Sequence, residues 1–161
     1  MTSRFLIIYI FLFPTLVLAE NSIIAIVDQD IITTNELNRF FNKSPTKAEK
    51  LQTINLLIDS KIEGKKFKDL KITPNNKLIN IELTKIAKKN NITLDDLIKA
   101  SNFQQLLSNI KYQISKNSLI DLVYQDSLNE GSEISDKVKI YEEWFKKLKA
   151  NTFIEIYEEK L

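Results

Sequence analysis

The stretch Ser22–Leu37 reads SIIAIVDQDIITTNEL. Its mostly β-branched residues at 23–27 and 31–32 are separated by Asp-Gln-Asp, side chains that tolerate turn geometry, and this pattern predicts a small β-hairpin. Thr33 and Glu36 then have the spacing of a capping box, in which hydroxyl and carboxylate each accept a hydrogen bond from a free backbone N–H. The sequence therefore predicts a hairpin that leads directly into a helix.

A second apolar strand is predicted at the far end of the chain, where residues 152–157 read TFIEIY. Its odd-numbered residues would face one way, while Ile154 and Ile156 face the other. A lone strand leaves a row of backbone N–H and C=O groups unpaired, and these groups need partners. Because the hairpin is the only candidate partner in the sequence, we expect the two ends of the chain to pair.

Helices are predicted between these strands. After Thr46, apolar residues recur every three or four positions, which is the period of a buried helical stripe. Thr73-Pro74 and Thr93 are two further helix-start signals, and the helix after Pro74 carries Leu78, Ile81 and Ile86. The predicted helices cover 34–44, 46–70, 74–90, 94–100, 102–126 and 136–150.

The first 19 residues have the layout of a secretory signal peptide. One positive charge precedes the apolar run 5–13, Pro14 interrupts it, and small residues surround the end at Ala19. An uncleaved membrane anchor is the alternative, but the run is short of the roughly 20 residues that a spanning helix needs. The sequence therefore predicts an exported protein with one domain, residues 20–161.

The composition argues against most enzymes. The chain has no His and no Cys, so the usual zinc site, a Ser-His-Asp triad and a thiol nucleophile all lack their residues. Its two glycines, Gly64 and Gly131, do not form a phosphate-binding loop. The acidic pairs at 95–96 and 142–143 are expected to serve as a helix cap and as surface. We therefore predict no catalytic residue, no cofactor and no metal.

The charge balance gives no indication of a nucleic-acid partner. Lys and Arg total 23 against 21 Asp and Glu, for a net charge of +2. The lysines occur as scattered pairs, whereas nucleic-acid recognition concentrates basic residues on one surface. Nucleic acid and small-molecule substrates are therefore not expected as partners.

Several segments of the chain resemble the SurA family of periplasmic chaperones. The segments 23–37, 56–76 and 86–100 are similar to its N-terminal domain, and IAKKNNITL at 86–94 matches the family run Ile-Ala-x-x-Asn-Asn-x-Thr-Leu. The segment 142–159, EEWFKKLKANTFIEIYEE, resembles the C-terminal segment of the family. The resemblance implies a mostly α fold, a SurA/trigger-factor peptide-binding-like helical domain with a small antiparallel sheet formed by the N-terminal hairpin and the C-terminal strand.

The chain departs from the family pattern at one place. SurA-like proteins usually carry parvulin-type prolyl isomerase domains between these two parts, and here only 128–135 (LNEGSEIS) separates them. A parvulin domain also uses active-site histidines, which this chain lacks. We therefore predict an N-terminal part at 20–127, a linker at 128–135 in place of the isomerase domains, and a C-terminal helix and strand at 136–161.

The resemblance implies an ATP-independent holding chaperone that binds unfolded outer-membrane protein segments in the periplasm. Tyr112 and Tyr124 are favoured as binding residues because they lie off the main apolar stripe of their helix, although aromatic residues at helical spacing are also typical of a core. Two alternatives remain, an envelope scaffold that docks one dedicated partner and a weak prolyl isomerase, and a homodimer stays open. The candidate client-binding residues are Phe40, Phe41, Phe103, Tyr112, Tyr124 and Trp144.

Overall fold

The computed structural model describes residues 21–131 and 136–161. The predicted signal peptide and residues 132–135 of the predicted linker lie outside the described residues. The structure is mostly helical with one small antiparallel sheet, which confirms the coarse fold class. The elements in chain order are β1 (Ile23–Val27), β2 (Asp30–Thr33), α1 (Thr34–Asn38), α2 (Lys47–Asp69), α3 (Asn76–Lys89), α4 (Leu94–Lys99), α5 (Phe103–Asn129), α6 (Lys137–Ala150), β3 (Ile154–Ile156) and a terminal 3-10 turn (Glu158–Lys160).

The sheet joins the two ends of the chain, as the sequence predicts. Its strand order is β2-β1-β3, with both pairs antiparallel. In the second pair Val27 lies opposite Ile154, and Ala25 lies opposite Ile156. Both isoleucines of β3 pack against the core, whereas the neighbouring Phe153 is 58% exposed. The predicted pairing of the strands and the predicted alternation of faces are both confirmed.

Three buried clusters hold the helices together. The first core lies between the sheet, α1 and α2. The second lies between α3, α4 and the first half of α5, and the third joins the second half of α5 to α6. Helix α5 therefore contributes to two cores. Central members are Ile24, Ile32, Leu37, Ile54 and Ile58 in the first core, Ile79, Leu83, Leu97 and Ile110 in the second, and Leu119, Val123, Ile140 and Tyr141 in the third.

Thr33 caps α1 as predicted by accepting a hydrogen bond from the backbone N–H of Glu36 at 3.3 Å, but the Glu36 carboxylate pairs with Lys61 instead of completing a capping box. Thr46 and Thr93 each form a full capping box, with Glu49 and Asp96 as the acidic partners. The predicted cap at Thr73 is wrong. Asn75 caps α3 instead, because its side-chain oxygen accepts a hydrogen bond from the backbone N–H of Lys77 at 2.8 Å.

Other boundaries also differ from the sequence prediction. Helix α1 ends at Asn38, so Phe40 and Phe41 lie outside it. Helix α5 continues to Asn129, so the linker prediction of 128–135 begins two residues too early. Helix α2 passes through Gly64 without interruption.

The buried face of α3 is not the one that carries Leu78 and Ile81. Its contacts with α4 and α5 bury Ile79, Leu83 and Ala87, while Leu78 and Ile81 remain 48% and 41% exposed. Two apolar stripes run along this helix, and tertiary packing decides which one is buried.

Within the part of the chain that the structure describes, no helix combines the length and apolar character needed to cross a bilayer.

Candidate functional site

A broad groove lies between α2 and α5, and we call it the α2/α5 groove. Its volume is about 840 Å³. Apolar side chains from α2 meet Tyr112 of α5 and the exposed Phe40, and hydroxyl and amide side chains together with one lysine surround them. The lining residues are Phe40, Thr53, Leu56, Leu57, Ser60, Ser108, Asn109, Tyr112, Gln113 and Lys116.

A second groove lies on the other side of α5, against α3. This α3/α5 groove has a volume of about 470 Å³, and apolar residues of α3 and α5 line it together with the ion pair Glu82–Lys85 and amide side chains of α5. Asn109 and Gln113 line both grooves. The two grooves therefore adjoin along α5, separated by one ridge of amide side chains.

A buried carboxylate lies behind the wall of the α2/α5 groove. Glu63 of α2 is only 1% exposed. The Tyr112 hydroxyl donates a hydrogen bond to Glu63 Oε2, and the Tyr141 hydroxyl of α6 donates one to Oε1 at 2.6 Å. Lys116 Nζ lies 2.8 Å from the same Oε1. One carboxylate thus connects three helices and contacts two residues of the groove lining.

Both tyrosines of this network are held in the neutral form. Burial raises the pKa of Tyr112 and of Tyr141 well above the usual value, and the hydrogen bonds to Glu63 add to the effect. A neutral hydroxyl is a donor, which is what a buried carboxylate requires. Edge-to-face contact with Phe67, at 5.8 Å between ring centroids, further fixes the Tyr112 ring.

Among the six aromatic residues predicted to bind a client, the structure brings Phe40 and Tyr112 together in the α2/α5 groove. The others are partly buried against the cores. Phe41 packs on the first core and Phe103 on the second. Tyr124 and Trp144 pack on the third, where Lys137 Nζ lies 5.2 Å from the centre of the Tyr124 ring.

Sequence reasoning missed three residues of this region, Leu56, Glu63 and Lys116. A signal for the first two exists, because positions 56, 60, 63 and 67 recur at three and four residues and so share one face of α2. That face carries Leu, Ser, Glu and Phe, a mixture that does not stand out as an apolar stripe. Lys116 has no comparable signal, since an isolated lysine in a helix is typical of a solvated surface.

The two acidic pairs singled out in the sequence lie at a helix start and on the surface of α6, as predicted. Asp96 is occupied as a helix cap, accepting a hydrogen bond from the Thr93 hydroxyl at 2.6 Å. Glu142 and Glu143 are exposed. Among the described residues, no group of three or more carboxylates could hold a metal ion.

Comparison with known proteins adds no assignment. No protein-family model matches the chain, and no curated protein matches its sequence. The likeness to the SurA family therefore stays a prediction from the segments quoted above.

Proposed function

We propose that this protein is an ATP-independent holding chaperone of the periplasm, which binds extended segments of unfolded outer-membrane proteins and has no prolyl isomerase activity. The observation that carries the proposal is the α2/α5 groove, a wide and open surface in which apolar side chains are bordered by polar ones, including Lys116. Exposed apolar surface with a polar rim is typical of an interaction site.

The lining suits an unfolded chain of variable sequence. Leu56 is 64% exposed and Phe40 is 60% exposed, so both are accessible to a client. Burying one such side chain contributes about 1.5–3 kcal/mol. A few contacts of this size would hold a client reversibly, and no nucleotide is needed for its release.

The amide ridge of α5 suits an extended backbone. Asn109 and Gln113 each present donors and an acceptor, so they can hydrogen-bond to peptide groups whatever the client sequence. Because the ridge borders both grooves, a client that crosses it would place side chains on either side. Binding an unfolded chain in this way lowers its free concentration and so suppresses its aggregation.

The test is an aggregation assay with the purified protein. Light scattering follows an unfolded outer-membrane porin diluted from urea, with and without a stoichiometric amount of the protein. We expect suppression, and we expect Leu56→Asp to reduce it severalfold because the charge enters the apolar lining. Phe153→Asp is the matched control, since Phe153 is equally exposed but lies on the sheet away from both grooves.

Two further measurements separate the alternatives. A second, unrelated unfolded protein should also be protected, whereas a scaffold for one dedicated partner would ignore it. A proline-peptide isomerisation assay should show no rate above background. A folded protein that suppresses aggregation of neither unfolded protein contradicts the proposal.

A further inference from the structure

The charged residue in the lining of the α2/α5 groove pairs with a carboxylate that lies outside the lining. Among the residues that the structure describes, Lys116 is the one charged residue that lines this groove. Its side chain is 33% exposed, so it can be reached from the groove. Alone, this lysine would give the groove a positive charge and favour acidic clients.

Glu63 lies directly behind this lysine. Its carboxylate is 2.8 Å from Lys116 Nζ, and its side chain is 2% exposed. At this distance the carboxylate offsets much of the lysine charge for a ligand on the groove side, because the ion pair acts on its surroundings as a dipole rather than as a free positive charge. The remaining lone pairs of Glu63 accept hydrogen bonds from Tyr112 and Tyr141, so the carboxylate has no freedom to turn away from the lysine.

The nearby acidic group Asp59 does not substitute for Glu63. Asp59 is paired with Lys149 of α6, at 2.5 Å between Oδ1 and Nζ. Neither residue belongs to the groove lining. The neutral state of the groove therefore depends on the pair of Glu63 and Lys116.

We infer that Glu63 is a specificity-determining residue: by neutralising Lys116 from behind the groove wall, it makes the α2/α5 groove select uncharged extended segments and discriminate against acidic ones. This inference rests on the proposed function. The occupant it specifies is a polypeptide in which apolar residues alternate with small neutral polar residues. The matching surface is the mixture of leucine, aromatic, hydroxyl and amide side chains in the lining.

The test compares two fluorescent peptides by anisotropy. Both carry the same alternating apolar and aromatic residues, and the intervening positions are Ser and Thr in one and partly Asp in the other. The wild-type protein should bind the neutral peptide more tightly. Glu63→Gln should raise affinity for the acidic peptide about fivefold, as expected for one newly uncompensated charge, and leave the neutral peptide within about twofold. The gain should vanish in high salt.

Two control variants make the result specific. Adding Lys116→Gln to Glu63→Gln removes both charges, so the gain for the acidic peptide should disappear. Glu36→Gln breaks a comparable ion pair, 3.1 Å from Lys61 Nζ, whose two residues lie outside the groove lining, and should change neither affinity. A folded Glu63→Gln protein that binds the acidic peptide no better than the wild type overturns the inference.

A second variant covers the case in which Glu63→Gln does not fold. Lys116→Gln leaves the buried carboxylate with its two tyrosine donors and removes the cation, so binding of the acidic peptide should weaken about fivefold. Unchanged binding by a folded Lys116→Gln protein also overturns the inference. If the wild-type protein binds neither peptide, the proposed function fails together with the inference. If it binds the neutral peptide and these variants behave like the wild type, the inference alone fails.

Discussion

Glu63 is almost completely buried, and its three partners come from two other helices. Taking an ion out of water is costly unless the charge is paired and its lone pairs are satisfied. Here two hydroxyl donors and one ammonium group satisfy the carboxylate. Removal of Glu63 is therefore expected to destabilise the folded protein.

We expect Glu63→Ala to lower the free energy of unfolding by about 3–5 kcal/mol, because it leaves one buried and one partly buried tyrosine hydroxyl without an acceptor and one lysine without its partner. Glu63→Gln keeps one acceptor oxygen and should cost less, about 1–3 kcal/mol. Urea unfolding followed by Trp144 fluorescence measures both. Glu82→Ala is the control, because its ion pair with Lys85 is exposed, and it should have little effect. Equal destabilisation by the alanine variants at 63 and 82 would contradict this account.

The two tyrosines make stability depend on alkaline pH. Their pKa values are raised in the folded protein by burial and by Glu63, so folding favours the neutral hydroxyl. This contribution is fully present below the unfolded pKa near 10 and is lost as pH rises above it. We expect the urea midpoint to fall between pH 10 and 11. Tyr112→Phe and Tyr141→Phe should each reduce that slope, because each removes one of the two raised pKa values. A urea midpoint that does not change between pH 10 and 11 would contradict this prediction.

At the scale of the elements, β3 completes the sheet although it has only three residues. Its two isoleucines pack on the first core, and Asp28 of the β1–β2 turn accepts a hydrogen bond from the Phe153 backbone N–H at 3.1 Å. Hydrogen bonding to Lys65 lowers the pKa of Asp28 and holds this turn against α2. The end of the chain is therefore fixed by both apolar and polar contacts.

Alanine substitutions at Ile156 and Phe153 should differ in their effect on stability, because Ile156 packs on the core and Phe153 is exposed. Ile156→Ala should cost about 1–2 kcal/mol, since the side chain is partly buried against the first core. Phe153→Ala should have little effect, because the ring faces solvent. Thermal unfolding of the two variants distinguishes the faces. A larger loss of thermal stability for Phe153→Ala than for Ile156→Ala would mean that the opposite face of β3 packs on the core.

Helix α2 contains one residue that weakens it. Gly64 lies within the helix, and a Cβ placed there would meet no atom within 4 Å. Gly64→Ala should therefore raise stability by about 0.5–1 kcal/mol through the lower entropy of the unfolded chain. Chemical denaturation measures the gain. A loss of stability would show that this position is packed more tightly than the structure indicates.

The elements of this fold are largely predictable from local sequence, because their signals lie within a few residues. The capping boxes at Thr46 and Thr93 and the alternation in 153–157 are examples. The face of α3 is not predictable in this way, since both of its apolar stripes satisfy the same period. The candidate site is harder to predict from local sequence than the elements are. The role of Glu63 depends on residues 49 and 78 positions away, and no local pattern marks it.

At the scale of the whole molecule, α5 connects the second and third cores and borders both grooves. Large apolar side chains are exposed on several elements, and four of them lie along the two grooves, Phe40 and Leu56 in one and Leu78 and Ile81 in the other. The central claim is that unfolded polypeptides bind in the α2/α5 groove.

Site-specific photo-crosslinking tests that claim most directly. A photoreactive phenylalanine analogue replaces Phe40 in the groove or Phe153 on the sheet, and each protein is irradiated with an unfolded porin freshly diluted from urea. We predict strong crosslinks from position 40, reduced by Leu56→Asp, and only background from position 153. Equal crosslinking from both positions, or none from position 40 in a folded protein, would contradict the account.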